Sequence, residues 1–261
     1  MPVILVTDVL VWLLAAAAAG YAFYCRRRPH LALPWGRVFR SAAAMASVVV
    51  LGAYVALGLL DSLHFRPSLE HQAGEQQAYS SEVLSVLDLA LSHLRGRSEK
   101  TYSAPLATRS YAKEQVELPD RRQLRDFPRL RFGGAHLKDE SEWARDVAKR
   151  AAAGIAASVL LFLFVLFLVR LLRAKRPEIP WHAASASLGA LLLLAGPALA
   201  LSSGYHVLGT DKVGQDMFYL ALKSVRTSLV IGTLTTLVLL PVGIALGIMA
   251  GYFKGWIDDV I

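Results

Sequence analysis

Cysteine is nearly absent. Cys25 stands alone in 261 residues, which excludes an intrachain disulfide and any cysteine-based metal cluster. Charge is scarce too, at 18% of residues against 55% hydrophobic, which is too lean for a soluble domain of this length. There is no G-x-x-x-x-G-K-[ST] loop, so the chain has no means of its own for gripping and hydrolysing ATP. It also lacks H-E-x-x-H, a nucleophile elbow and kinase signatures. The histidines, at 30, 64, 71, 93, 136, 182 and 206, never pair four apart on one expected helix, so each reads as a loop or interface residue rather than a metal ligand. No solenoid-length repeat is visible. A catalytic constellation is therefore not expected, and neither is a cofactor on this chain.

What is present is apolar sequence in long blocks. Five of them, at about 9–25, 41–60, 151–169, 183–201 and 227–253, contain no Asp, Glu, Lys or Arg. A bilayer core of ~30 Å needs ~20 helical residues, so the pattern predicts an all-α polytopic membrane protein with about five transmembrane helices. The net charge of +8 is compatible with a nucleic-acid binder, but the cations flank the apolar blocks, where they act as topology signals. No nucleic-acid partner is expected; the bilayer is. Arg26, Arg27 and Arg28 follow the first apolar block instead of preceding it, which argues against a cleaved signal peptide. Cys25 at the end of that block reads as a small apolar filler.

Lys and Arg in the short loops set the orientation. Arg26, Arg27, Arg28, Arg37 and Arg40 lie between the first two blocks, and Arg170, Arg173, Lys175 and Arg176 between the third and fourth. Both loops are expected in the cytoplasm, which places the N-terminus and 61–150 outside, in the periplasm of a bacterial inner membrane. Segment 202–226 then falls outside despite Lys212, Lys223 and Arg226.

The division that follows has four parts: 1–60, two transmembrane helices around a basic cytoplasmic loop; 61–150, a periplasmic insertion; 151–201, transmembrane helices three and four; and 202–261, an external segment, an interfacial helix, a fifth transmembrane helix and a cytoplasmic exit. The insertion of about 90 residues holds 15 Lys/Arg against 14 Asp/Glu, the balance of an ordinary mixed α/β extramembrane unit. Within it, 80–94 predicts an amphipathic helix with Val83, Leu87, Leu91 and Leu94 on one face behind a serine cap. Asp139 and Glu142 predict a helix start that runs straight into the third span. Short strands and loops are expected between them.

The spans offer almost no ionisable residue, which counts against a proton- or ion-coupled secondary transporter. The last sixty residues are more specific. Gly209 and Gly214 bracket Thr210 and Asp211 in a segment that must turn, and Asp216 is placed to cap the next helix. From 217 to 226 an interfacial helix is expected, with Phe218, Leu222 and Val225 on one side and Lys223 and Arg226 toward water or headgroups. Gly243, Gly247 and Gly251 then form a smooth stripe for close helix packing. Pro241 suggests a kink or break.

This stretch resembles the permeases of the dipeptide, oligopeptide and nickel ABC importers, which have the MetI-like transmembrane fold. The matching residues are His206, Leu208, Gly209, Thr210, Asp211, Gly214 and Asp216, then Arg226, Ser228 and Leu229, then Gly247, Gly251, Tyr252, Gly255, Trp256 and Asp258. Val207 stands where the family has proline and Gln215 where it commonly has arginine. The likeness covers about the final fifth of the chain. It implies the N-terminal portion of a permease subunit, with further helices and a coupling loop lying beyond Ile261. It also implies a second permease subunit, cytoplasmic ATPase subunits that bind the ATP, and a periplasmic solute-binding protein. The alternatives from the residues are a membrane-anchored structural or assembly protein whose working part is 61–150, and a truncated, transport-inactive permease.

Overall fold

The computed structural model describes residues 1–68, 79–117, 123–173 and 179–253. It is mostly helical, with five helices long and apolar enough to cross a membrane. These are α1 (Val6–Arg27), α3 (Ala42–Asp61), α6 (Trp143–Arg173), α7 (Trp181–Ser202) and α8 (Met217–Phe253). Each of the five apolar blocks lies inside one of them, apart from Ser41, which stands at the N-cap of α3. A short helix, α2 (Pro29–Phe39), joins α1 to α3, and Pro29 in its first turn suits a position whose N–H has no helical acceptor.

The expected boundaries hold less well than the helices themselves. α8 is one continuous helix of 37 residues, so the interfacial piece and the span are a single rod, and Pro241 does not interrupt it. The 80–94 helix is shorter than its apolar spacing suggests. Residues Leu84–Ser85 form strand β3, which pairs with β2 (His64–Phe65) and through it with β1 (Pro2–Val3). Two short helices follow, α4 (Val86–Ala90) and α5 (Ser92–Arg95). The serine cap is Ser85, whose hydroxyl accepts from the Asp88 N–H while the Asp88 carboxylate accepts from the Ser85 N–H. Leu87, Leu91 and Leu94 are buried as the spacing required.

β4 (Glu114–Glu117) and β5 (Gln123–Asp126) form an antiparallel hairpin in the stretch expected to hold short strands. Asp139 does start the third span: its carboxylate accepts from the Ser141 N–H and hydroxyl, and a 3-10 turn over Glu140–Glu142 leads directly into α6.

The starts of α1, α6 and α8 and the ends of α3 and α7 all gather at one end of the bundle, under a cap made of 61–68 and the described part of 79–142. Core packing concentrates at that junction. Leu87, Leu91 and Leu94 of the cap pack with Tyr219 of α8, flanked by Leu57, Phe218 and Leu222. Leu137 packs with Leu201 and Tyr205 at the end of α7, flanked by Leu106 and Val147. Leu106 holds the left-handed φ of 56°. It is fixed there by its N–H on the His206 carbonyl and by its own carbonyl under the Trp143 indole N–H.

Down the bundle, α6 and α7 approach most closely where glycines face each other. A Cβ on Gly154 would lie 2.6 Å from the Gly196 carbonyl oxygen and 2.7 Å from Pro197 Cα. The Ser158 hydroxyl closes the crossing by donating to the Leu192 carbonyl at 2.7 Å.

Candidate functional site

The segment that carries the sequence signature, 206–216, is a tight loop clamped onto the cap. Its two required turns are where the sequence put them: Gly209 has φ +76° and Gly214 φ +82°. Both are also forced by proximity, since a Cβ on Gly209 would run into the Ser103 carbonyl and one on Gly214 into the Glu99 carbonyl. Thr210 donates through its hydroxyl to the Thr101 carbonyl at 2.9 Å, and its N–H reaches the Ser103 carbonyl at 3.3 Å. Asp211 closes the turn by accepting from the N–H groups of Val213 at 2.9 Å and Gln215 at 2.8 Å. The loop uses Gln215 through its backbone, so the departure from arginine leaves the turn intact. Val207 packs against the Leu137 cluster in the place of the missing proline.

Asp216 caps α8 as expected, with Oδ1 accepting from the N–H groups of Phe218 at 2.8 Å and Tyr219 at 3.2 Å. Its Oδ2 accepts from His206 Nδ1 at 2.7 Å, and on the other side of the ring Nε2 lies 3.3 Å from Glu99 Oε1. Glu99 is fixed in turn by the backbone N–H groups of Arg131, Phe132 and Gly133. The His206, Glu99 and Asp216 side chains are 1%, 5% and 0% exposed. Burial opposes a charged ring, but the hydrogen bonds and charges of Asp216 and Glu99 outweigh it and hold His206 up at about 9. Burial likewise pushes Glu99 up, yet the bonds from His206 and the three backbone N–H groups bring it down to about 2. The group is thus an imidazolium between two carboxylates. It joins the loop (His206), the helix start (Asp216) and the cap (Glu99).

A second set of charges fixes α8 one to three turns further on. Lys223, expected to face water, instead bonds both Asp88 oxygens at 2.6 and 2.7 Å, and the Tyr219 hydroxyl donates to the same carboxylate at 2.6 Å. Burial pushes Asp88 up, but Lys223, the Ser85 N–H and Tyr219 overcome it and hold Asp88 at about 2. Arg226, also expected at a wet surface, is 13% exposed and pairs with Asp8 of α1 and, at 3.9 Å, with Asp61 of α3. Asp8 accepts in addition from the Leu5 N–H and lies 3.0 Å from His64 Nδ1; Asp61 accepts from the Ser85 hydroxyl. The helices extend past the apolar blocks, and this brings four ionisable side chains of the helix ends together. Of the three awkward cations of 202–226, Lys223 and Arg226 are neutralised, so neither counts as free positive charge for topology.

The end of α7 is held in the same manner. Arg97 donates to the Ser202 and Ser203 carbonyls, both at 2.8 Å, satisfying acceptors that a helix C-terminus leaves open. Asp146 of α6 gathers His136 at 2.6 Å, Arg150 at 2.8 Å and the Tyr205 hydroxyl at 2.8 Å. Burial, then the bond to Asp146, pushes the Tyr205 hydroxyl up to about 12.

Among the described residues, the rest of the signature plays no part in this junction. Leu208 is half exposed, Ser228 is exposed, and Leu229 touches the position where Gly58 of α3 lacks a side chain. Gly243, Gly247 and Gly251 have no described atom within 4 Å of an added Cβ, so the stripe packs on nothing within the described chain. The close glycine contacts are those of Gly154 and Gly196 instead. Tyr252 is 80% exposed. Gly255, Trp256 and Asp258 lie outside the described residues.

No local pattern marks Glu99, Asp61 or Asp8 as partners, because each meets its cation from more than fifty residues away. Only the Ser85-x-x-Asp88 spacing was there to be found. Two clefts flank the imidazolium: one of about 370 Å³ lined by Glu99, Lys100, Thr101 and Arg131, and one of about 630 Å³ lined by Arg95, Gln215, Asp216 and Lys223. Of these, Glu99 and Asp216 are paired with His206, Lys100 with Glu114, Arg95 with Glu82 and Lys223 with Asp88, an arrangement that fixes elements in place.

The matches among known proteins include a local likeness to a transport permease. Over 59 residues, 23% of this chain, the sequence is 42% identical to the glutathione transport system permease protein GsiD of Pectobacterium atrosepticum. The chain spans about a fifth of that relative's length. No family model matches, and no solved structure matches.

Proposed function

We propose that this chain is a transmembrane permease subunit of an ABC importer, forming part of the path for a peptide or similar small solute. The observation that carries the proposal is the 206–216 loop. Within that loop the signature residues His206, Gly209, Thr210, Asp211, Gly214 and Asp216 build the clasp between the cap and α8, and this common use supports reading them as one motif. The local likeness to a glutathione permease points the same way, since glutathione is a small peptide. Five helices of spanning length, together with that likeness, suit a multi-pass membrane protein; the bacterial inner membrane, with the cap in the periplasm, is the setting the arginine-rich loops favour.

In this scheme the chain performs no covalent chemistry. ATP binds to separate cytoplasmic ATPase subunits, a second permease chain completes the path, and a periplasmic solute-binding protein delivers the solute to the capped side. Closure of the ATPases shifts the balance between two packings of the helices. The open glycine stripe of α8 is available to the second permease subunit. The rival reading, an anchored protein whose working part is 61–150 alone, is disfavoured because the cap borrows its core from the bundle: Tyr219 and Tyr205 complete its two apolar clusters.

The test is to purify the chain by an affinity tag from its own cells at native expression and identify what comes with it. An ATPase subunit and a second permease, with ATP hydrolysis stimulated by a small peptide, is the expected result. Recovery of the chain with neither would overturn the proposal.

A further inference from the structure

Helix α2 has no described function, yet its chemistry is concentrated. Wound as a helix, it presents Leu31, Trp35, Val38 and Phe39 on one side and His30 and Arg37 on the other. None of its residues is buried; Leu33 is 66% exposed, Val38 45% and Trp35 42%. The aromatic rings form a continuous layer with the end of α1: Tyr21 meets Trp35 edge-on at 6.4 Å, and Trp35 meets Phe39 at 6.1 Å. Arginines lie in the same layer, Arg27 over the Phe23 ring at 4.2 Å and Arg28 over the Tyr24 ring at 5.7 Å. With Arg26 and Arg37 they make four cations, and between Asp8 and Asp61 the sequence holds no acid at all. Arg170 at the end of α6 adds to the same end of the bundle.

We infer that α2 and the arginines around it form a docking surface for anionic phospholipid headgroups, with the helix lying in the plane of the bilayer surface. Three observations converge. First, α2 joins two antiparallel spans at the same end of the bundle, which confines it to the level where their apolar stretches stop. Second, aromatic rings and arginines occur together at that level, the combination that suits a headgroup layer, apolar on one side and wet on the other. Third, the cations here differ from those of the capped end. There Arg226, Lys223 and Arg97 are bound to carboxylates or helix carbonyls; here Arg26, Arg27, Arg28 and Arg37 lie in a connecting stretch that holds no acid, so its charge is complementary to anionic phosphate. An acidic face of a soluble protein would complement the charge, but it would leave the aromatic layer without an apolar counterpart.

The test uses the full chain in mild detergent, where arginine substitutions cannot invert its topology. Phosphatidylglycerol or phosphatidylcholine is titrated in, and bound lipids are counted by native mass spectrometry. The chain is expected to take up phosphatidylglycerol in preference. R27Q/R28Q/R37Q is expected to lose that preference by roughly fivefold per arginine removed, whereas R27K/R28K/R37K keeps most of it. Single R37Q reports a proportionate loss if the triple variant is poorly made. K100Q/K113Q/K138Q, which removes as many charges from the cap, is expected to change nothing. The inference is overturned if the glutamine variant keeps the preference, if the cap variant loses as much, or if soluble polyglutamate binds this end while phosphatidylglycerol does not.

Discussion

Replacing His206 by glutamine removes the charge that two buried carboxylates share, and the consequences can be worked out from the site. Removing one partner of a buried ion pair costs about 3–5 kcal/mol, because the group left behind is neither solvated nor neutralised. Displacement of His206 from 6.5 to about 9 gives an independent figure on the order of 3 kcal/mol, at ~1.36 kcal/mol per pH unit. The two agree, and both describe one interaction, so they are not added. Sign and window follow from the same values. A histidine raised in the folded state stabilises fully below 6.5, and that contribution is lost as pH rises through about 9. Glu99, lowered from 4.5 to about 2, stabilises fully above 4.5, and its contribution is lost as pH falls through about 2. The clasp is therefore at full strength between these limits, in mildly acidic solution.

The assay is amide hydrogen exchange on the detergent-solubilised chain at pH 6 and pH 9.5, corrected for intrinsic rates. In the wild type, protection of 97–111 and 206–216 falls at the higher pH. In H206Q, protection at pH 6 is expected to be roughly a hundredfold lower, with little further change on going alkaline. E99Q/D216N on top of H206Q is expected to restore part of the loss. Protection in H206Q within threefold of wild type, or the same alkaline loss in both proteins, would refute the assignment of the charged ring as the clasp.

Two other substitutions separate folding from assembly. G214A places a methyl group against the Glu99 carbonyl at a φ of +82°, so it should loosen the same loop by several kcal/mol; G247A meets nothing in the described chain and should leave the thermal unfolding of the isolated protein unchanged. R226L strands Asp8 and Asp61 at the junction and should destabilise by about 3–5 kcal/mol, read as a lower denaturation temperature in detergent, with D8N restoring part of it; an unchanged melting point for R226L would mean the pairing carries no stability.

Much of the architecture was legible in the sequence, for a reason specific to membranes. A span has no water to satisfy its backbone and no tolerance for charge, so each of the five helices shows as a charge-free block of spanning length. Their ends were not legible. Lys223 and Arg226 look like the boundary of a span when read alone, and only the arrival of Asp88, Asp61 and Asp8 lets α8 carry them without a break. Leu87, Leu91 and Leu94 were found by their spacing; the strand that replaces the start of their helix was not, because its pairing partners are His64 and Phe65. The turn residues Gly209, Gly214, Thr210, Asp211 and Asp216 were visible as a motif. Their shared purpose depends on Glu99, Thr101 and Ser103, more than a hundred residues earlier, and no local pattern could supply that.

The unbroken length of α8 makes it a mechanical element. At ~1.5 Å per residue its stretch from Arg226 to Phe253 is about 40 Å long, and near its start it is held by Asp216 through His206 to Glu99 of the cap, by Lys223 to Asp88 of the cap, and by Arg226 to Asp8 of α1. With that end fixed, a tilt of about 10° sweeps the free end sideways by roughly 7 Å. A push at the distal end is in the same way delivered as torque on the three ion-paired contacts that hold α8 to the cap and to α1. The cap is a bearing in which this lever is seated, and how stiffly the distal end can be moved is decided on the opposite side of the bundle.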